Sequence, residues 1–129
     1  MSDTDRAKQH FDETIGAVPP SVDTMRRYAP AAYQAYLTAR EGVYRDPPAG
    51  HLDRATKELL FIVLEVAAGH EEGAKAHAAA GLKAGLTVEQ ITEALMIGVL
   101  INGHAAWGMT GYKVVEYAAG LVEGSPDRR

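Results

Sequence analysis

The sequence contains no cysteine. This absence excludes disulfide bonds, thiolate metal ligands and thiol redox chemistry, because each of them requires a cysteine sulfur. Aromatic residues are also few, at 7% of the chain, whereas apolar residues as a whole make up 47%. A chain poor in rings and rich in alanine and glycine suits closely packed helices better than a sheet. We therefore predict an all-α protein.

Excess positive charge is missing as well, since the net charge is −4 and the pI is about 5.7. No run of basic residues provides a local positive surface that could attract phosphate groups, so we expect no nucleic-acid partner. The apolar run at residues 59–64 is far shorter than the ~20 residues that cross a bilayer. The N-terminal segment is acidic, unlike a signal peptide. We expect no membrane partner and a cytoplasmic location.

A chain of 129 residues fits one domain with a substantial core. Its clearest break is Asp-Pro-Pro-Ala-Gly at residues 46–50, between a helical arm, residues 1–45, and a core, residues 54–121. Three short helices bury too little apolar surface to stand alone. We therefore expect arm and core to form a single domain, residues 1–129, with about six helices.

Several helix ends can be predicted in the core. Residues 54–68 are apolar on most faces, which predicts a buried helix. Gly69 and Gly85 are candidate C-terminal caps, and residues 87–90, Thr-Val-Glu-Gln, have the form of a capping box. The short connection around Gly85 predicts that the helices on its two sides form an antiparallel hairpin.

The candidate acid and base are Glu58 and His77. Glu58 and Glu65 are the only acids of the apolar helix, and a carboxylate on a buried helix needs a partner. His77 lies among small residues of the next helix, where another helix can approach closely. Two interpretations remain open. The pair is either a general acid and base or a buried ion pair that ties the two helices together.

The candidate substrate-binding residues are His70, His104, Glu72 and Trp107. Each also has a structural interpretation. His70 begins a helix, His104 occupies a turn, Glu72 is a solvated acid in a first turn, and Trp107 packs in the core.

A metal site is the alternative of a different class. His70, His77 and His104, with Glu58 or Glu65, supply ligand types that suit zinc or iron. However, His70 and His77 are seven residues apart, about 10 Å along a helix axis at 1.5 Å per residue. A helical pair of metal ligands is usually one turn apart. We predict no metal and no other cofactor.

Three segments together resemble the carboxymuconolactone decarboxylase family, which includes the alkylhydroperoxidase D-like proteins. They are Lys57-Glu58-Leu59-Leu60, Gly69-His70 with His77, and residues 84–94, Ala-Gly-Leu-Thr-Val-Glu-Gln-Ile-Thr-Glu-Ala. The resemblance covers about residues 54–117. It implies an alkylhydroperoxidase D-like helical bundle, a homo-oligomer that is a trimer or a hexamer, and a role in aromatic catabolism.

The resemblance also assigns residues in the thiol-peroxidase branch of the family. Glu58 and His77 match the Glu and His that relay protons to a cysteine pair there. His70 and Gly73 stand where the two cysteines would be. Because a thiolate is the group that attacks the peroxide, we expect no thiol peroxidase activity.

The decarboxylase branch needs no cysteine, and its reaction converts 4-carboxymuconolactone into an enol-lactone with loss of carbon dioxide. The resemblance implies a cofactor-free lyase or isomerase that acts on a small lactone or ring-cleavage carboxylic acid through Glu58 and His77. The His-Glu step associated with the decarboxylases is absent, since Glu71-Glu72-Gly73 stands in its place. The alternatives are a non-catalytic protein that binds small ligands or assembles, and a metal-binding member.

Overall fold

The computed structural model describes residues 1–124 and is all-helical over that range, as predicted. It contains seven α-helices and one π-helical turn, against the six or so helices expected. They are α1 (Asp3–Thr14), α2 (Pro20–Tyr28), α3 (Pro30–Val43), α4 (Arg54–Ala67), α5 (Glu71–Lys83), α6 (Val88–Asn102), the π-helical turn (Trp107–Gly111) and α7 (Tyr112–Glu123). No helix in the described range is long and apolar enough to span a membrane.

The first compact unit, Met1–Asp53, contains α1, α2 and α3. Ser2 caps α1 by accepting a hydrogen bond from the backbone N–H of Asp5, while Pro20 and Pro30 occupy the first positions of α2 and α3. The unit has its own core of buried apolar side chains, made of Ala7, Phe11, Val22, Tyr33 and Leu37. An ion pair between Arg6 and Glu41 links α1 to α3.

The second compact unit begins at Arg54 and contains α4 to α7. Helix α4 packs most extensively against α5, and it also packs against α6, while α5 packs against α7. The shared core is aliphatic and consists of Ile62, Val66, Ala74, Ala78, Leu86, Ile91, Leu95, Val114 and Ala118. This unit contains both Glu58 and His77.

The predicted helix ends of the second unit are confirmed. Gly69 has a φ of +78° and ends α4, where the N–H of His70 bonds to the carbonyl of Glu65 at 2.9 Å. Gly85, with a φ of +101°, ends α5 in the same way. In the capping box, the Thr87 hydroxyl accepts from the Gln90 N–H, and the Gln90 side chain accepts from the Thr87 N–H.

Two expectations about packing were wrong. Helix α4 is not buried on most faces, because Leu60 and Leu64 are 49% and 66% exposed. The helices on either side of Gly85, α5 and α6, are not among the helix pairs that pack along one another. Each of them packs on α4 and α7 instead, so the short connection did not decide which helices would be partners.

Candidate functional site

Glu58 and His77 meet between α4 and α5. The Gly69 turn reverses the chain, so that these two residues, 19 positions apart in sequence, face each other across the helix pair. The Nδ1 atom of His77 lies 2.8 Å from Oε2 of Glu58. Gly81 on α5 lies beside this contact, since a Cβ atom there would lie 3.4 Å from the Cβ of Glu58, at the close end of ordinary van der Waals contact.

The Glu58 carboxylate is fully buried, with 0% of its side chain exposed. One of its oxygens, Oε2, contacts His77, whereas Oε1 has no hydrogen-bond partner among the described residues. A buried oxygen without a partner is unfavourable unless a bound molecule or a water supplies a hydrogen bond. Oε1 is therefore an atom at which the site can accept a proton or a hydrogen bond.

The imidazole of His77 has a defined orientation. When Glu58 is ionised it can only accept, so Nδ1 carries the proton and Nε2 presents its lone pair. Nε2 has no hydrogen-bond partner within residues 1–124, and the side chain retains 9% exposure. This arrangement can take up a proton at Nε2 while Glu58 stabilises the positive charge.

Phe61 is a third residue of the site, and the sequence analysis missed it. Its ring stacks on the His77 imidazole with a centroid distance of 4.4 Å and an angle of 14° between the ring planes. Phe61 follows Glu58 by three positions on α4, so both side chains lie on the same helix face. That spacing is the signal in the sequence that could have identified it.

His70 pairs with a different residue. It is the N-terminal cap residue of α5, its side chain is mostly exposed, and its Nδ1 atom lies 3.6 Å from Oε2 of Glu65. The Glu65 carboxylate also fills the space beside Gly73, since a Cβ atom at residue 73 would lie 1.9 Å from Oε2. The α4–α5 pair thus carries two Glu–His contacts, one buried and one near solvent.

The other candidate residues lie elsewhere in the second unit. Glu72 is 92% exposed and only loosely approaches Lys75, at 4.0 Å. His104 is exposed in the turn that follows α6, and Trp107 packs against the aliphatic core at the start of the π-helical turn. No hydrogen bond or ion pair among the described residues joins any of them, or His70, to Glu58 or His77. Their substrate-binding roles stay predictions.

The candidate metal ligands are not brought together in the part of the chain that the structure describes. No three His, Cys, Asp or Glu side chains there lie close enough together to hold one metal ion. The proposed ligands are instead divided between the two Glu–His contacts and the turn at His104.

Charges near the start of α5 form a small network. The Glu71 carboxylate lies 2.7 Å from Nζ of Lys75 and 3.7 Å from Nζ of Lys113 on α7. The hydrogen bond from Lys75 lowers the pKa of Glu71, and the charge of Lys113 lowers it further. The same contact raises the pKa of Lys75. Both groups therefore stay charged over a wide pH range, and the contact of Glu71 with Lys113 links α5 to α7.

Two comparisons with known proteins indicate the same family. The model of the carboxymuconolactone decarboxylase family matches residues 30–116. A crystal structure of a protein from Burkholderia xenovorans LB400, provisionally named a carboxymuconolactone decarboxylase, is similar in fold with a TM-score of 0.85. The two sequences are 28% identical, and the similarity covers 95% of each chain. The comparison with curated proteins gives no match.

Proposed function

Because this chain belongs to the carboxymuconolactone decarboxylase family, we propose that it is a cofactor-free lyase or isomerase. Its substrate would be a small lactone or ring-cleavage carboxylic acid. The observation that carries the proposal is the buried contact between Glu58 and His77, at 2.8 Å, with Nε2 of the imidazole left without a protein partner. A held imidazole with one free nitrogen is suited to proton transfer.

The proposed roles follow from the geometry of the pair. In decarboxylation the bond to the carboxylate carbon breaks, carbon dioxide leaves, and the electron pair remains on the substrate as an enolate. His77, after taking up a proton from water at Nε2, would donate that proton to the substrate carbon that had carried the carboxylate, and the Glu58 carboxylate would stabilise the imidazolium until then. His70, His104, Glu72 and Trp107 are proposed to orient the substrate.

The test is a spectrophotometric assay of decarboxylation with 4-carboxymuconolactone and related carboxylated lactones. Metal-stripped wild-type protein is compared with His77→Ala and, as a matched control, with His51→Ala, an exposed histidine of the first unit. We expect turnover that survives chelation, is unchanged in His51→Ala, and falls by about 10²-fold or more in His77→Ala. Turnover that chelation abolishes would contradict a cofactor-free reaction.

A second candidate function has an observation in its favour. Glu58 is sealed from solvent and His77 nearly so, which is what a purely structural ion pair would show. In that case the protein would be a non-catalytic member that binds a small ligand or assembles. Absence of turnover in the wild type, together with a loss of heat stability in His77→Ala, would support this alternative and would lead to screens for ligand binding.

We also propose that the protein is a homo-oligomer, a trimer or a hexamer, in the cytoplasm. The support is a set of large apolar side chains that are about half exposed or more, which we term the apolar surface of the second unit. It comprises Leu60, Leu64, Ile97, Leu100, Ile101 and Met109. These residues lie on α4, on α6 and on the π-helical turn, three elements that pack against one another. Monomeric proteins rarely expose large apolar patches, and a second copy of the chain would cover these side chains.

A further inference from the structure

The imidazole of His77 is held at two points by α4. Glu58 contacts the edge of the ring at Nδ1, and Phe61 covers one face of the ring at 4.4 Å with the planes only 14° apart. The hydrogen bond opposes rotation that would exchange Nδ1 with a ring carbon. The stack opposes tilting of the ring out of its plane. The two contacts constrain different motions of the same group.

We propose that Phe61 is a positioning residue, whose ring keeps His77 in the orientation in which Nδ1 meets Glu58 and Nε2 is left for the substrate. A hydrogen bond at Nδ1 alone would still allow the imidazole plane to tilt about the line from Nδ1 to Oε2, because it restrains the ring at only one atom. A parallel ring against the face removes that freedom. Fixed orientation matters because proton transfer depends on the direction of the lone pair as well as on its distance.

The same geometry limits how a substrate can reach His77. Nδ1 is taken by Glu58 and one face by Phe61, so a substrate cannot reach His77 from these two directions and would have to meet it at Nε2 or over the opposite face. An in-plane approach at Nε2 suits transfer of one proton to or from a carbon or oxygen. This part of the inference rests on the proposed function, whereas the orientation of the ring does not.

The experiment is nuclear magnetic resonance of protein labelled with ¹⁵N in its five histidines. The two imidazole tautomers give different ¹⁵N shifts, and the His77 signals are identified by their loss in His77→Gln. In the wild type we expect one tautomer, protonated at Nδ1, with slow exchange of that proton with water. In Phe61→Leu we expect a mixture of tautomers and exchange faster by about tenfold, because loss of the stack increases opening of the ring.

The chain offers matched controls, because it contains only two phenylalanines. Phe61→Tyr retains a flat ring and should restore the wild-type spectrum. Phe11→Leu removes the other phenylalanine, which is buried in the first unit, and should leave the His77 signals unchanged. If Phe61→Leu fails to fold, Phe61→Met, which fills a similar volume without a ring, provides the same comparison.

The outcomes separate this inference from the proposed function. A wild-type tautomer and exchange rate in Phe61→Leu or Phe61→Met would overturn the positioning role, whatever the activity. Where the wild type turns over a lactone, we expect kcat to fall in Phe61→Leu with KM little changed, and Phe61→Tyr to restore kcat. If no lactone is turned over, the proposed function fails, and the spectrum still decides the role of Phe61.

Discussion

At the scale of single residues, Glu58 combines two properties that usually conflict. Its side chain is completely buried, yet one carboxylate oxygen has no hydrogen-bond partner within the described chain. A buried charge is stable only if its neighbours stabilise it, and here the imidazole of His77 is the neighbour that does so. A structural role and a catalytic role both require this contact, so variants must distinguish between them.

The first prediction concerns removal of either partner. His77→Ala leaves the carboxylate buried and alone, and we expect the free energy of unfolding to fall by about 3–5 kcal/mol. Glu58→Gln keeps an oxygen that can accept from Nδ1–H, so we expect a loss of only about 1 kcal/mol. Urea unfolding monitored by circular dichroism measures both values.

The contrast between these two variants also bears on function. Glu58→Gln keeps the shape of the pair but cannot stabilise an imidazolium, so in an enzyme it should lose activity while remaining folded. Equal stability of His77→Ala and wild type would contradict a buried ion pair. A folded Glu58→Gln protein with full activity would contradict the proposed role of the carboxylate.

At the scale of elements, the α4–α5 pair is what brings the site together. Its reversal depends on Gly69, which adopts a positive φ, and Gly81 lies beside Glu58 where the two helices meet. A Cβ atom at residue 81 would lie 2.6 Å from Cδ1 of Leu86, a buried side chain with little freedom to move. A side chain at residue 81 would therefore be crowded mainly by Leu86, in the connection after α5, and less by Glu58 on α4.

We predict opposite effects for two glycine substitutions in helices. Gly81→Ala should lower the free energy of unfolding by about 1–3 kcal/mol, because the added methyl group would overpack the contact with the buried side chain of Leu86. Gly120→Ala, in α7, meets nothing within 4 Å and should raise stability by about 0.5–1 kcal/mol through helix propensity. Thermal and urea unfolding measure both. A stabilising Gly81→Ala would show that the contact is looser than described.

The ion pairs of Glu71, with Lys75 on the same helix and with Lys113 on α7, should make stability depend on pH. The pKa of Glu71 is lowered in the folded protein, mainly by the hydrogen bond from Lys75. A carboxyl whose pKa is lowered by folding stabilises the protein above its unfolded value, near 4.5, and loses that contribution as pH falls through the folded value. We therefore expect Glu71→Gln to be less stable than wild type at neutral pH, with a difference that narrows below about 4.5.

Glu72→Gln provides the control for this prediction. Residue 72 lies next to Glu71 in the first turn of α5, but its side chain is almost fully exposed and only distantly approaches Lys75. Its substitution should change stability little at any pH. Unfolding midpoints measured across the acid range for the three proteins would contradict the prediction if Glu71→Gln and Glu72→Gln behaved alike.

At the scale of the whole molecule, the apolar surface of the second unit would make a monomer unfavourable, because large apolar side chains would be left exposed to water. Leu100 and Ile101, at the end of an apolar sequence segment and in the last turn of α6, are 84% and 82% exposed. Leaving such side chains in water forgoes about 1.5–3 kcal/mol each. Association of copies through this surface would remove that cost, which is why we propose a homo-oligomer.

The last prediction tests that surface. Leu100→Glu places a charge in the proposed interface and should dissociate the oligomer, while the helix content stays unchanged because the side chain is exposed in the monomer. Tyr28→Glu is the control, since Tyr28 is 76% exposed on the first unit, outside this surface. Light scattering coupled to gel filtration measures the mass. A monomeric wild type, or an unaltered mass for Leu100→Glu, would contradict the proposal.

Much of the helical structure could be predicted from the sequence because it depends on local features. Helix ends at Gly69 and Gly85 and the capping box at Thr87 involve residues only a few positions apart. The pairing of Glu58 with His77 was also predictable, since a carboxylate on an apolar helix requires a partner. The expectation of one domain stays a prediction, as the two compact units are each defined by their own cores.

Only the tertiary structure decided which surfaces are buried and which rings meet. Helix α4 is apolar on most faces, and nothing local shows that Leu60 and Leu64 face outward while Glu58 faces inward. The stack of Phe61 on His77 likewise depends on the rotation of α4 against α5. Helix ends follow from interactions within one turn, whereas burial and ring contacts follow from how whole helices pack, to which residues far apart in sequence contribute together.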